Sequence, residues 1–79
     1  MSTPRLGFIG FGEAAASIAL GLHEEGFKNL LAYDQLQTDP NRGPLINKRA
    51  TASKTNIKPN LSSLIKNCDI IISSVTANA

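Results

Sequence analysis

Three small residues and one acid are the positions in this chain whose spacing could do chemistry. Gly10, Gly12 and Ala15 form the pattern G-x-G-x-x-A within IGFGEAAA, and Asp34 ends NLLAYD, 19 residues after Ala15. The chemistry that such a pattern serves is the holding of a pyrophosphate by main chain. Gly10 permits a tight strand-to-helix turn, Gly12 has no Cβ to keep phosphate away, and Ala15 lets a helix lie close to a strand. The free N–H groups and the positive dipole end of that helix then attract the anion. Phe11, Glu13 and Ala14 complete the expected phosphate loop. Glu13 is a departure: an acid in the first turn suits the helix dipole, but it must point away from phosphate. An acid at the separation of Asp34 suits the hydroxyls of an adenosine ribose.

The flanking elements must place that turn. RLGFI, residues 5–9, is an apolar run suited to a strand buried on both faces. A helix is expected from about Glu13 to a glycine stop near Gly26, with Ala15, Ile18, Ala19 and Leu22 on one stripe. NLLAYD, residues 29–34, is the second strand, and DPNRGP, residues 39–44, is dense in turn formers. Pro44 opens a short helix over PLINKRATAS, and TNIKP, residues 55–59, reads as a short edge-like strand. Asn60 caps a helix over residues 61–67, with Leu61, Leu64 and Ile65 on one face. DIIISSV, residues 69–75, is a β-branched strand expected at the centre of a parallel sheet. Strands alternating with helices predict an α/β fold with right-handed crossovers. The expectation is a partial Rossmann domain: a doubly wound parallel sheet over residues 1–79, about one half of a dinucleotide-binding domain, with no substrate domain.

Size and composition narrow the alternatives. A chain of 79 residues makes one small domain, and such a domain buries only about 60–65% of its unfolded surface. Cys68 is the only cysteine and His23 the only histidine, so no disulfide forms and no Cys/His metal cluster is expected. The first 39 residues carry two cations against five acids, and the last 40 carry six against one. That basic half lacks the dense clustering of a nucleic-acid surface, so no nucleic-acid partner is expected. A secretory signal has some support in the basic start at Arg5 and the AAA at 14–16. Glu13 and the glycines at 7, 10 and 12 interrupt it. From Leu6 to Leu22 there are only 17 residues, short of the roughly 20 apolar ones that a membrane span needs. A cytoplasmic chain without a membrane partner is the expectation.

LGFIGFGEAAASIALGL, LLAYD and CDIIISSVT together resemble the N-terminus of the β-hydroxyacid dehydrogenase and 6-phosphogluconate dehydrogenase superfamily. The resemblance runs from residue 5 to residue 79. It implies the cofactor-binding part of an NAD- or NADP-dependent oxidoreductase acting on a hydroxy acid. By resemblance, Gly10, Phe11, Gly12, Glu13, Ala14 and Ala15 form the pyrophosphate loop. Asp34 contacts the ribose, and Val75 with Thr76 lines the cofactor after the fourth strand. The catalytic lysine of such enzymes lies further downstream, and Lys48, Lys54, Lys58 and Lys66 are not candidates for it. No catalytic residue is therefore expected here, and the chain alone should bind dinucleotide without turnover. Asp34 favours NAD, because its charge opposes a 2′-phosphate; Arg42 in the following loop leaves NADP open.

Two other readings stay open. One is a self-standing nucleotide-binding or interaction module that forms a homo-oligomer through an exposed sheet edge. The other is a different ligand of the same turn, such as FAD or S-adenosylmethionine. His23 is expected on the surface or partly buried, and Cys68 as a buried structural thiol. Ser73 and Ser74 are expected as small packing residues.

Overall fold

The computed structural model describes residues 4–73. Each uninterrupted apolar run has become a short strand and each stripe of small and branched residues a helix. The order is β1 (Leu6–Ile9), α1 (Glu13–Glu24), β2 (Leu30–Tyr33), α2 (Gly43–Ser53), β3 (Asn56–Ile57), α3 (Leu61–Lys66) and β4 (Ile70–Ser73). The four strands form one sheet in the order β3-β2-β1-β4. All three pairings are parallel, with Phe8 opposite Ala32 on one side and Ile72 on the other. This α/β arrangement is the 3-2-1-4 half of a doubly wound, Rossmann-like sheet.

Alternation along the strands assigns the helices to faces. Leu6 and Phe8 of β1 and Leu30 and Ala32 of β2 join Ala15, Ala19, Ile46 and Ala50 in one buried cluster. The core is thus where α1 and α2 cover the sheet. Gly7 points to the other face, where a Cβ would overlap the Cys68 sulfur and sit 3.1 Å from Cδ1 of Ile71. Hydrogen alone fits there, which brings the α3–β4 corner against β1. Leu64 of α3 is fully buried, and α3 lies against β1 and β2.

Two phenylalanines dominate the core. The Phe8 and Phe11 rings meet edge-on, with centroids 5.8 Å apart and planes at 67°. Burying each ring contributes about 1.5–3 kcal/mol, and Phe11 also pins the turn after β1 to the core. The end of α1 closes as expected from Gly26: Phe27 N–H donates to Leu22 O at 2.9 Å and Gly26 N–H to His23 O at 3.1 Å. These are the two bonds of a Schellman motif. Asn60 caps α3, its side-chain oxygen accepting from Ser63 N–H at 2.8 Å. At the start of β4, Asp69 accepts from Arg5 N–H at 2.8 Å and from its guanidinium at 3.2 and 3.3 Å.

Three sequence expectations shift. The apolar stripe of α1 is narrower than expected: Ala15 and Ala19 are buried, but Ile18 is 48% exposed. Methyl-sized side chains bring α1 close to the sheet and leave the branched one at the margin. On α3 only Leu64 is buried, while Leu61 and Ile65 are exposed. Among the described residues β4 is an edge rather than a central strand, with Ile70 and Ile71 exposed. A run of β-branched residues reports a strand that suits two-sided cover, not which neighbours supply it. No helix among the described residues is long and apolar enough to cross a membrane.

Candidate functional site

The turn between β1 and α1 stands at the carboxyl end of the sheet, where open α/β sheets bind ligands. Gly10 has φ +86°, a backbone state that a side chain disfavours and glycine adopts freely. Its N–H donates to Tyr33 O at 2.8 Å, continuing the β1–β2 ladder by one step. Phe11 then turns its ring into the core. Gly12 is the N-cap of α1, and no side chain caps that helix. The first intrahelical bond joins Ala16 N–H to Gly12 O at 3.0 Å, so the amides before Ala16 have no acceptor within the helix. A Cβ built on Gly12 meets no atom of the described residues within 4 Å.

Asp34 is brought to the same place by β2. Its Oδ2 accepts from Phe11 N–H at 2.8 Å, and its Oδ1 accepts from Leu36 N–H at 2.8 Å. One amide of the expected phosphate loop is therefore occupied by protein. The amides of Gly12, Glu13 and Ala14 receive no cap from a side chain among the described residues. A carboxylate offers about four lone-pair sites, so two acceptor positions of Asp34 remain for hydroxyl groups. Its backbone N–H donates to Oε1 of Gln37 at 3.0 Å, and Nε2 of Gln37 donates to Lys58 O at 2.7 Å. Gln37 thus ties the loop after β2 to the end of β3.

A cleft of about 170 Å³ opens beside these groups, with Phe11, Gly12 and Asp34 on one wall. The other wall comes from Leu36, from Arg42 at the start of α2, and from Leu45, Ile46 and Arg49 along it. A larger cavity of about 230 Å³ lies at the opposite, amino ends of the strands, beside Arg5, Lys28 and Lys54. It is remote from both the glycine turn and Asp34, so the smaller cleft is the candidate site.

Of the nine residues expected at the site, four come together. Gly10, Phe11, Gly12 and Asp34 surround the turn. Ala15 is buried in the core cluster, where its small side chain lets α1 approach. Glu13 and Ala14 are exposed and do not line the cleft. Val75 and Thr76 lie outside the described residues. The α2 wall is what sequence reasoning missed, beyond Arg42. Its signal was the spacing of Arg42, Leu45, Ile46 and Arg49, which is i, i+3, i+4, i+7 on one helical face.

His23 and Cys68 stand apart from the cleft. Nδ1 of His23 is buried with no hydrogen-bond partner among the described residues. Cys68 is only partly buried, and desolvation pushes its thiol pKa up, which disfavours the reactive thiolate.

No protein-family model matches the chain, and no curated protein matches it. Among solved structures it is similar to the crystal structure of a conserved hypothetical protein from Sinorhizobium meliloti 1021, with TM-score 0.82 and 35% identity. That match covers 94% of this chain and 24% of the other, so this chain spans about a quarter of its length.

Proposed function

We propose that the chain is the dinucleotide-binding portion of an NAD(P)-dependent oxidoreductase that acts on a hydroxy acid, of the β-hydroxyacid and 6-phosphogluconate dehydrogenase kind. The observation that carries this reading is the uncapped start of α1 beside Asp34, at the carboxyl ends of parallel strands. The residues fit the cofactor. Gly12 leaves open space where a Cβ would stand among the described residues, and the amides of Gly12, Glu13 and Ala14 would donate to the pyrophosphate. Asp34 keeps acceptor positions for ribose hydroxyls while holding the loop. Leu36 and Leu45, the apolar part of the cleft, would hold the adenine ring. When bound, the cofactor supplies a hydride acceptor, and the role of this chain is to hold and orient it. The described residues place no proton-transferring group in the cleft besides Asp34, whose oxygens are engaged with backbone. The 79-residue chain therefore binds without turnover. Calorimetric titration with NAD and NADP tests the reading, alongside absorbance at 340 nm with hydroxy acids. Binding without reduction is expected; no heat with either dinucleotide refutes it.

A second reading has one observation in its favour. Ile70 and Ile71 are 49% and 38% exposed on β4, the last strand of the described sheet. Such an edge suits pairing with a second copy, as in a self-standing nucleotide-binding module. Light scattering decides: a stable monomer across the micromolar range excludes it.

A further inference from the structure

The cavity of about 230 Å³ at the amino ends of the strands takes no part in the dinucleotide reading. Arg5, Lys28 and Lys54 line it with Asn29, Asn56 and Asn67, and no acid stands among the described residues of its wall. The parallel sheet gathers these cations. Arg5 precedes β1, Lys28 precedes β2 and Lys54 precedes β3, and strands that run parallel begin at one end of the sheet. The first 39 residues hold only two cations, Arg5 and Lys28, and both stand here.

Each cation keeps donors to offer. Arg5 gives Nε–H and an Nη2–H to Asp69 at 3.3 and 3.2 Å, and a guanidinium carries more N–H donors than these bonds use. Asp69 also accepts from Arg5 N–H at 2.8 Å, so the residue is anchored at the rim. Lys28 Nζ donates to His23 O at 3.1 Å, which leaves further donors on its ammonium. Lys54 forms no ion pair among the described residues, where the pair that forms is Arg5 with Asp69.

Lys54 is out of place for a purely structural residue. It has φ +58°, and no other described non-glycine residue has a positive φ. The end of α2 closes through backbone alone: Thr55 N–H donates to Ala50 O at 2.8 Å and Lys54 N–H to Thr51 O at 3.3 Å. These are Schellman bonds, and glycine is the usual residue at their left-handed position. The ammonium takes no part in that closure. A lysine standing where glycine is easier, on the wall of a cationic cavity, is a local outlier that points to function.

We propose that this cavity binds a small multivalent oxyanion, a phosphate or a carboxylate, held by Arg5, Lys28 and Lys54. Guanidinium and ammonium groups serve both kinds of oxygen, and the carboxamides of Asn29 and Asn56 add neutral donors. The volume equals that of about eight waters, which suits a pyrophosphate or a tricarboxylate better than a halide. Leu30 and Leu31, the apolar members of the wall, are buried, so no apolar platform for a base or an acyl chain is exposed. The inference is independent of the dinucleotide reading.

The test titrates pyrophosphate and citrate separately into the isotope-labelled 79-residue chain, in about 0.15 M sodium chloride. Saturable amide shifts are expected at Asn29, Lys54 and Asn56, and the tighter of the two anions tells phosphate from carboxylate. Lys54→Gly and Lys28→Gln are each expected to weaken binding at least about fivefold. Lys54→Gly does so without a lower melting midpoint, which separates lost binding from lost folding. Lys48→Gln removes one charge from a residue that lines neither cavity, and affinity is retained. Shifts confined to Gly12, Glu13 and Ala14, or absent with both anions, overturn the inference. So does an affinity unchanged in Lys54→Gly, or one that falls equally in Lys48→Gln, which is diffuse charge attraction only.

Discussion

The Phe11 backbone N–H donates to Oδ2 of Asp34 across 2.8 Å, so the last residue of the second apolar run holds the turn that follows the first. Two separate features of the sequence, a glycine pattern and an acid 23 residues after Phe11, thereby become one structural unit. The acid shapes the glycine turn before any ligand arrives.

Asp34→Ala removes the acceptor of both Phe11 N–H and Leu36 N–H. Loss of the charge-assisted bond to the part-buried Phe11 N–H costs about 1–3 kcal/mol, and the exposed bond to Leu36 N–H adds less. Urea denaturation is expected to show that loss, together with weakened nucleotide binding. A variant as stable as the parent contradicts the clamp.

Gly7→Ala and Gly12→Ala separate packing from ligand approach. At Gly7 the added methyl overlaps the Cys68 sulfur, and overpacking of this kind costs about 1–3 kcal/mol. At Gly12 the methyl meets no atom of the described residues within 4 Å, and the residue has φ −81°, which alanine adopts. Gly12→Ala is therefore expected to fold with an unchanged melting midpoint while losing at least about tenfold in dinucleotide affinity, since the added methyl keeps the pyrophosphate off the backbone. Unchanged affinity would place the pyrophosphate somewhere else.

Lys54 closes α2 in the left-handed region, with φ +58°. A residue with a Cβ pays roughly 1–2 kcal/mol there. Lys54→Gly is expected to raise thermal stability by up to about 1 kcal/mol, whereas Lys54→Ala leaves it near the parent value. Calorimetry on the pair checks the sign.

The Arg5–Asp69 pair gives an acid dependence. The hydrogen bond from the Arg5 side chain, followed by the one from its backbone, holds the Asp69 carboxyl below its usual range. A lowered folded value means that the contribution is present above the unfolded pKa of about 3.9 and is lost as pH falls through the folded one. The parent is expected to lose more stability than Asp69→Asn on going from about pH 5 to about pH 2. Both side chains are about half exposed, at 51% and 47%, so the difference is small and shrinks with added salt. Identical acid limbs in the two proteins would contradict the assignment.

The fold and the turn were legible because they are written locally. Apolar runs before Gly10 and Asp34, a glycine at 26 and a capping Asn60 are each read within a few residues. The clamp between Phe11 and Asp34 was not legible, since it depends on the register that sets Ile9 opposite Tyr33. Arg49 was missed because the spacing of Arg42, Leu45, Ile46 and Arg49 marks a shared helical face but not what that face meets, which depends on α2 packing against α1. Ile18 misled because hydropathy ignores how closely alanines let α1 approach the sheet. Ile70 and Ile71 read as central because branched side chains report a preference for cover, not its presence.

The central claim is that bare amides at the start of α1 hold the pyrophosphate of a dinucleotide. Titration of the isotope-labelled chain with NADP, read as amide chemical-shift changes, tests it most directly. The account predicts the largest shifts at Gly12, Glu13 and Ala14, with smaller ones at Asp34, Arg42 and Arg49. Saturating shifts confined to other residues, or none at millimolar NADP, would contradict it.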